Sequence, residues 1–119
     1  LRVAIAADAG QVIDPSGLTA QLEGGFLQAA SWALYEQVTF DRDGITSRDW
    51  DTYPILRFDN VPKIETILMD RRGEPYLGAG EAVAGPTAGA IANAIYRATG
   101  LRLRRMPFTP EALRAAALI

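Results

Sequence analysis

Two short segments carry the residues best suited to chemistry. Glu81 follows Gly78-Ala79-Gly80, precedes Ala82, and is the one ionisable residue between Leu77 and Gly89. A carboxylate removed from water accepts a proton near neutral pH, as a general base must, and the neighbouring glycines let a ligand come close. The alternative is a solvated glutamate on a surface loop. The segment is not a phosphate-binding loop, because it lacks the Gly-Lys-Ser/Thr ending.

The second segment is a glycine-bearing helix face. A helix is predicted from about Leu18 to Tyr35, because six apolar residues recur at helical spacing: Leu22, Phe26, Ala29, Ala30, Ala33 and Leu34. Its other side carries Gln21, Gly24, Gly25 and Gln28. A glycine inside a helix costs about 1 kcal/mol relative to alanine, so the pair indicates close approach of another backbone or of a ligand. The Gln21 amide offers such a ligand a donor and an acceptor.

Two clusters of charge admit a functional and a structural interpretation. The basic residues near the end could bind a phosphate or an acidic partner, or could cap a helix and lie on a solvated surface; they are Arg97, Arg102, Arg104 and Arg105. The acidic residues do not match the spacing of a calcium loop and indicate a solvated hairpin tip instead; they are Asp41, Asp43, Asp49 and Asp51.

Composition removes several classes of site and partner. The 119 residues contain no cysteine and no histidine, which excludes disulfides, thiolate or imidazole metal ligands and Ser-His triads. Because the acidic cluster does not match a calcium loop either, we expect no protein ligand to a metal. Acid–base chemistry must come from Asp, Glu, Lys, Tyr or a bound cofactor. A net charge of −2 argues against nucleic acid, and no apolar run approaches the roughly 20 residues of a membrane helix.

The elements that must position these residues indicate a single α+β domain over residues 1–119. We expect a small mixed sheet with a hairpin, packed against two longer helices and a short C-terminal helix. The sequence predicts a buried strand at Val3–Ala6, before the first helix. After that helix it predicts the hairpin Val38–Thr46, the strand Ile64–Met69, a helix from Pro86 to about Thr99 and a helix capped by Thr109.

The ordered motifs resemble the final cofactor-binding portion of the molybdenum hydroxylases, the family of xanthine dehydrogenase and aldehyde oxidase. The resemblance covers nearly the whole chain. Around Ser47-Arg48-Asp49-Trp50 and Gly80-Glu81-Ala82 it is closest to bacterial enzymes that hydroxylate nicotinate, isoquinoline-like heterocycles or aldehydes. The other motifs are Asp8-Ala9-Gly10, Asp14-Pro15-Ser16-Gly17, Gln21-Leu22-Glu23-Gly24-Gly25, Ala33-Leu34-Tyr35-Glu36, Tyr53-Pro54-Ile55-Leu56-Arg57 and Ala90-Ile91-Ala92-Asn93-Ala94-Ile95.

The resemblance implies a role for each matching residue. Glu81 corresponds to the glutamate that acts as general base in the hydroxylation, with water as the oxygen source. Gln21 corresponds to the glutamine that hydrogen-bonds the pterin. The other implied cofactor-binding residues keep the backbone close to the cofactor and frame the base; they are Gly24, Gly25, Gly78, Gly80 and Ala82.

The resemblance also implies a larger enzyme. The family's large subunit is several times longer, and this chain does not begin with methionine, so we expect a C-terminal fragment that is inactive and lacks the cofactor when isolated. The intact enzyme would hold a molybdopterin-type cofactor, in its cytosine dinucleotide form. Its partners would be the rest of the subunit, an iron–sulfur subunit and an electron acceptor, and the isolated fragment would self-associate. The alternatives are a stand-alone, non-catalytic interaction module and, more distantly, a nucleotide-binding module.

Overall fold

The computed structural model describes residues 1–118 and has an α+β architecture, which confirms the predicted class. The strands form two separate two-stranded sheets, and the hairpin is not joined to the other pair. The elements in chain order are β1 (Arg2–Ala7), α1 (Pro15–Leu34), β2 (Phe40–Asp41), β3 (Gly44–Ile45), a single 3₁₀ turn (Phe58–Asn60), β4 (Lys63–Leu68), α2 (Ala84–Thr99) and α3 (Pro110–Ala117).

Strands β1 and β4 pair in parallel, with Arg2 opposite Lys63 and Ala7 opposite Leu68. One face of this pair packs on α1, where Ile5 joins the core. The other face is bare, so Ala4 and Ala6 are exposed. The prediction of a buried strand at Val3–Ala6 is therefore wrong for its outward-facing residues, because α1 covers one side of the sheet only.

Helix α1 begins three residues earlier than predicted. Asp14 is its N-cap, and the Asp14 side chain accepts a hydrogen bond from the Gly17 N–H at 3.1 Å. Pro15 follows at the first helical position, where its missing N–H costs nothing. The predicted apolar face is confirmed: five of its six residues are buried and Leu34 is half-buried.

Helix α2 also begins earlier than predicted, at Ala84, two residues before Pro86. Gly100 closes it in the left-handed conformation, with φ of 75°. Thr109 caps α3, as predicted, by accepting a hydrogen bond from the Ala112 N–H at 3.2 Å. Among residues 1–118, no helix combines the length and the apolar character needed to cross a membrane.

Gly10 allows two loops to touch at one end of the parallel pair. It follows β1 with a φ of +69°, and a Cβ atom at this position would lie 2.0 Å from the carbonyl oxygen of Pro75. Pro75 belongs to the loop that follows β4. Because parallel strands end at the same edge of a sheet, both loops start there, and only glycine permits this close approach.

Gly10→Ala should therefore lower the free energy of unfolding of the chain. The left-handed conformation alone costs an alanine roughly 1–2 kcal/mol, and the overlap with Pro75 adds to it. Gly73→Ala is the matched control, since Gly73 also has a positive φ, +86°, but open space around it. Urea denaturation should show a clearly larger loss for Gly10→Ala. Equal losses would mean that the contact with Pro75 does not constrain the fold.

Candidate functional site

The two predicted segments meet in the structure. Gln21 lies on the exposed side of α1, and its Nε2 donates a hydrogen bond to the carbonyl oxygen of Gly80 at 3.3 Å. A Cβ atom at Gly80 would lie 3.7 Å from the same Nε2. The Gln21 amide of the helix-face segment therefore rests directly against the residue that precedes Glu81.

A second contact joins the same elements one turn further along α1. Gly25 faces Val83, and a Cβ atom at Gly25 would lie 3.9 Å from the Val83 Cβ. Val83 is a buried core residue, and its carbonyl oxygen accepts a hydrogen bond from the Thr87 hydroxyl at 2.7 Å. The sequence analysis did not single out Val83 or Thr87, although an isolated valine among glycine and alanine was a signal of burial.

Gly24 and Gly78 line open surface. Within residues 1–118, no heavy atom outside the immediate neighbourhood of either glycine lies within 4 Å of where its Cβ would be. Packing against this chain therefore does not account for Gly24, whereas the contact with Val83 gives Gly25 a packing neighbour. Exposed glycine backbone at Gly24, on the helix face that carries the Gln21 amide, leaves room for a ligand to approach closely.

Glu81 and Ala82 are exposed in the turn that leads into α2. The backbone carbonyl of Glu81 accepts a hydrogen bond from the Ala84 N–H at 3.1 Å, which fixes the residue at the start of the helix. Residues 1–118 do not bury the carboxylate. The desolvation that would make it a general base must therefore come from outside the described part of the chain.

The loop that carries Glu81 is tied to the loop after β1. Asp8 accepts hydrogen bonds from the Gly10 N–H at 3.1 Å and from the Arg71 guanidinium. The bond from Arg71, and secondarily that from Gly10, hold the pKa of the Asp8 carboxyl below its ordinary value. The Leu77 N–H donates to the Ala9 carbonyl at 2.9 Å. The sequence analysis identified Asp8 and Gly10 as motif residues but gave them no part in the site.

Members of both charged clusters make structural contacts. Arg102 stacks 3.9 Å from the centre of the Tyr96 ring and donates to Asn93 at 2.7 Å, so it lies along the surface of α2. Asp41 accepts hydrogen bonds from two backbone N–H groups of the hairpin tip, and Asp49 caps the turn at Thr52. No group of acidic side chains within residues 1–118 has a geometry suited to a metal ion.

Comparison with known proteins gives the same family from sequence. The profile of the molybdopterin cofactor-binding domain matches residues 1–62. A nicotinate dehydrogenase subunit of Pseudomonas putida is 44% identical over 115 residues, which are 97% of this chain and 10% of that protein. A membrane-bound aldehyde dehydrogenase of Gluconacetobacter polyoxogenes, whose name carries pyrroloquinoline quinone, is 38% identical over 112 residues, 92% of this chain and 14% of that protein.

The solved structures give the same fold. Quinoline 2-oxidoreductase from Pseudomonas putida 86 superposes with a TM-score of 0.84 at 23% identity, over 98% of this chain and 16% of that one. The chain thus spans about a tenth to a sixth of the proteins that it matches. With the family profile over more than half of its length, the chain belongs to the molybdopterin cofactor-binding domain family of the molybdenum hydroxylases.

Proposed function

We propose that this chain is the C-terminal part of a molybdopterin-binding subunit, in which Glu81 is the general base and α1 forms part of the cofactor cradle. The observation that carries the proposal is the hydrogen bond from Gln21 to Gly80. It joins the amide assigned to the pterin to the residue that precedes the proposed base. A stand-alone, non-catalytic module would have no need to bring these two segments together.

Each residue has a distinct task in this proposal. The molybdenum cofactor, when bound, supplies the electron acceptor and the activation of water that amino-acid side chains lack. Glu81 takes up the proton on its carboxylate as the oxygen nucleophile forms its bond to carbon. Gln21 donates its nitrogen to the Gly80 carbonyl, and within residues 1–118 its amide oxygen has no hydrogen bond and can accept one from the pterin. Gly24, Gly25, Gly78, Gly80 and Ala82 keep bulky side chains away from the cofactor.

The size and apolar character of the exposed surface support the proposal that the chain is part of a larger subunit. Its accessible surface is 8793 Å², whereas a folded monomer of 12.8 kDa exposes about 6,300 Å². Its radius of gyration is 17.1 Å, against about 13.5 Å for a compact domain of this length. Large apolar side chains face outward, among them Phe58 at 98%, Phe40 at 77% and Trp50 at 68% exposure. Such surface marks contacts with further polypeptide. Glu81 is exposed as well, so a surface that covers it would desolvate its carboxylate.

The names of the relatives support the substrate class, whereas the partners are what the resemblance to the family implies. The nicotinate and quinoline enzymes are named for N-heteroaromatic compounds and the third relative for aldehydes. We infer that the intact enzyme hydroxylates a substrate of one of these two classes. We further infer an iron–sulfur subunit, a separate electron acceptor and the cytosine dinucleotide form of the cofactor. The intact subunit should contain molybdenum and molybdopterin rather than pyrroloquinoline quinone.

Substitutions in the intact subunit separate the two roles. Glu81→Gln keeps the size of the side chain but cannot accept the proton, so turnover should fall by about 10²–10⁴-fold while molybdenum content stays unchanged. Gln21→Ala should lower molybdenum content and turnover together, because the pterin loses its amide. Steady-state kinetics and elemental analysis measure both.

Two exposed residues provide controls for these variants. Glu74→Gln removes a nearby exposed carboxylate, and Gln37→Ala removes an exposed amide beyond α1. Both should leave turnover and molybdenum content unchanged. Near-normal turnover of the Glu81→Gln subunit would reject the assignment of Glu81 as the base.

The isolated 119-residue chain should hold no stoichiometric molybdenum and oxidise neither aldehydes nor N-heterocycles. The reason is that Gln21 and the glycine backbone offer only one side of a cradle. Elemental analysis of the purified chain and an assay with both substrate classes test this. About one molybdenum per chain would show that these residues are sufficient, contrary to the proposal.

The isolated chain should also self-associate through its exposed apolar surface, because that surface is covered in the intact subunit. Light scattering should give a mass above 12.8 kDa that rises with concentration. Phe58→Ser should reduce the association, since Phe58 is almost fully exposed, whereas Arg104→Ser, at an exposed polar position, should not. A monomer at all concentrations would favour the stand-alone module.

A further inference from the structure

The loops after β1 and β4 are tied together at several points. The Met69 N–H donates to Ala7, the Arg71 N–H to Gly10 and the Leu77 N–H to Ala9, at 2.9, 3.2 and 2.9 Å. In return, the Val12 N–H donates to the Asp70 carboxylate at 3.3 Å. The second loop therefore folds back along the first before it continues to Glu81.

Asp8 has a special place in this arrangement because each of its carboxylate oxygens makes a different bond. Oδ1 accepts from the Gly10 N–H at 3.1 Å, which stabilises the turn that gives Gly10 its positive φ. Oδ2 accepts from the Arg71 guanidinium, 63 residues away in sequence. One side chain thus shapes the first loop and holds the second loop against it.

This contact matters for the segment that follows. Leu77 is fixed by its hydrogen bond to Ala9, and Gly80 is fixed by the hydrogen bond from Gln21. Glu81 comes directly after the second fixed point. The intervening residues form no helix or strand and include Gly78, whose backbone is the freest of all residue types. The position of Glu81 therefore depends on how firmly the two ends of the segment are held.

The ion pair does not act mainly on the stability of the fold. The side chains of Arg71 and Asp8 are 55% and 38% exposed, and exposed ion pairs contribute little to stability. A role in positioning does not require a large contribution to stability, because a misplacement of about 1 Å can reduce an enzymatic rate by about 10²-fold.

From these contacts we infer that Asp8 and Arg71 are positioning residues for the Glu81 loop, holding its Leu77 end while Gln21 holds its Gly80 end. They act through the loop and do not touch the substrate. The inference rests on the proposed role of Glu81 for its effect on the rate, but not for its effect on the loop itself.

The test uses the cofactor-loaded intact subunit and two measurements. Hydrogen exchange of the amides of residues 77–81 reports the loop directly, and kcat and KM report its effect on catalysis. Asp8→Asn keeps an oxygen for the Gly10 N–H and loses the ion pair, whereas Arg71→Gln leaves Asp8 and its turn untouched. Arg71→Lys restores the charge. Arg72→Gln is the matched control, because Arg72 lies next in sequence and its ion pair with Asp70 stays within the second loop. The Asp70 carboxylate keeps its bond from the Val12 N–H in this variant.

Asp8→Asn and Arg71→Gln should each speed exchange at residues 77–81 and lower kcat by about 10-fold to 10²-fold. KM, molybdenum content and the melting temperature should stay close to those of the unmodified subunit. Arg71→Lys should recover part of both effects, and Arg72→Gln should show neither. If Asp8→Asn fails to fold, Arg71→Gln alone decides the matter.

Unchanged hydrogen exchange at residues 77–81 in the Arg71→Gln subunit would overturn the inference. If the Glu81→Gln subunit is inactive, faster exchange with an unchanged kcat in the Arg71→Gln subunit would overturn it as well. Faster exchange together with a fully active Glu81→Gln subunit would reject Glu81 as the base and leave the anchoring of the loop established. The failure of the inference and the failure of the proposed function are therefore distinguishable.

Discussion

The parallel pairing of β1 with β4 is the constraint on which the rest of the arrangement depends. It pairs residues that are more than 60 positions apart in the sequence. It also places the loops that follow the two strands at the same edge of the sheet. Gly10 then decides how closely these loops approach, because any side chain there would overlap the Pro75 carbonyl. Close beside that contact, the Leu77 N–H donates to the Ala9 carbonyl and holds the start of the segment that leads to Glu81.

Helix α1 provides the second support for the Glu81 loop. Its buried face packs in the core, and its exposed face carries Gln21 and Gly24. The buried face, centred on Leu22 and Phe26, gives the helix its stability through contacts with the sheet and with Val83. Burying a side chain of this size contributes roughly 1.5–3 kcal/mol, which offsets the cost of about 1 kcal/mol for each glycine on the exposed face. The helix can therefore keep open backbone at Gly24 beside the Gln21 amide without losing its shape.

The sequence predicts what depends on near neighbours and misses what depends on distant ones. Periodicity located α1, and capping signals located the end of α2 and the start of α3, with errors of two or three residues at the other helix starts. The starting error in α1 arose because apolar periodicity gives no signal for residues 15–17, where Asp14 is the N-cap and Pro15 the first helical residue. The pairing of β1 with β4 and the bond between Asp8 and Arg71 have no local signature. The sequence indicated Gln21 and Glu81, whereas only the folded structure places the Gln21 amide against Gly80, the residue before Glu81.

The exposure of Glu81 fits a site that is divided between separate parts of a protein. A carboxylate buried among apolar groups within a small chain would lower the stability of that chain, because its charged form loses hydration without a partner. A carboxylate on the surface has no such cost, and the approach of another surface can remove its water later. On the proposed function, the cofactor and the rest of the subunit do this where the substrate binds. The local fold then needs only to hold the Glu81 backbone in place, which the contacts at Leu77 and Gly80 do.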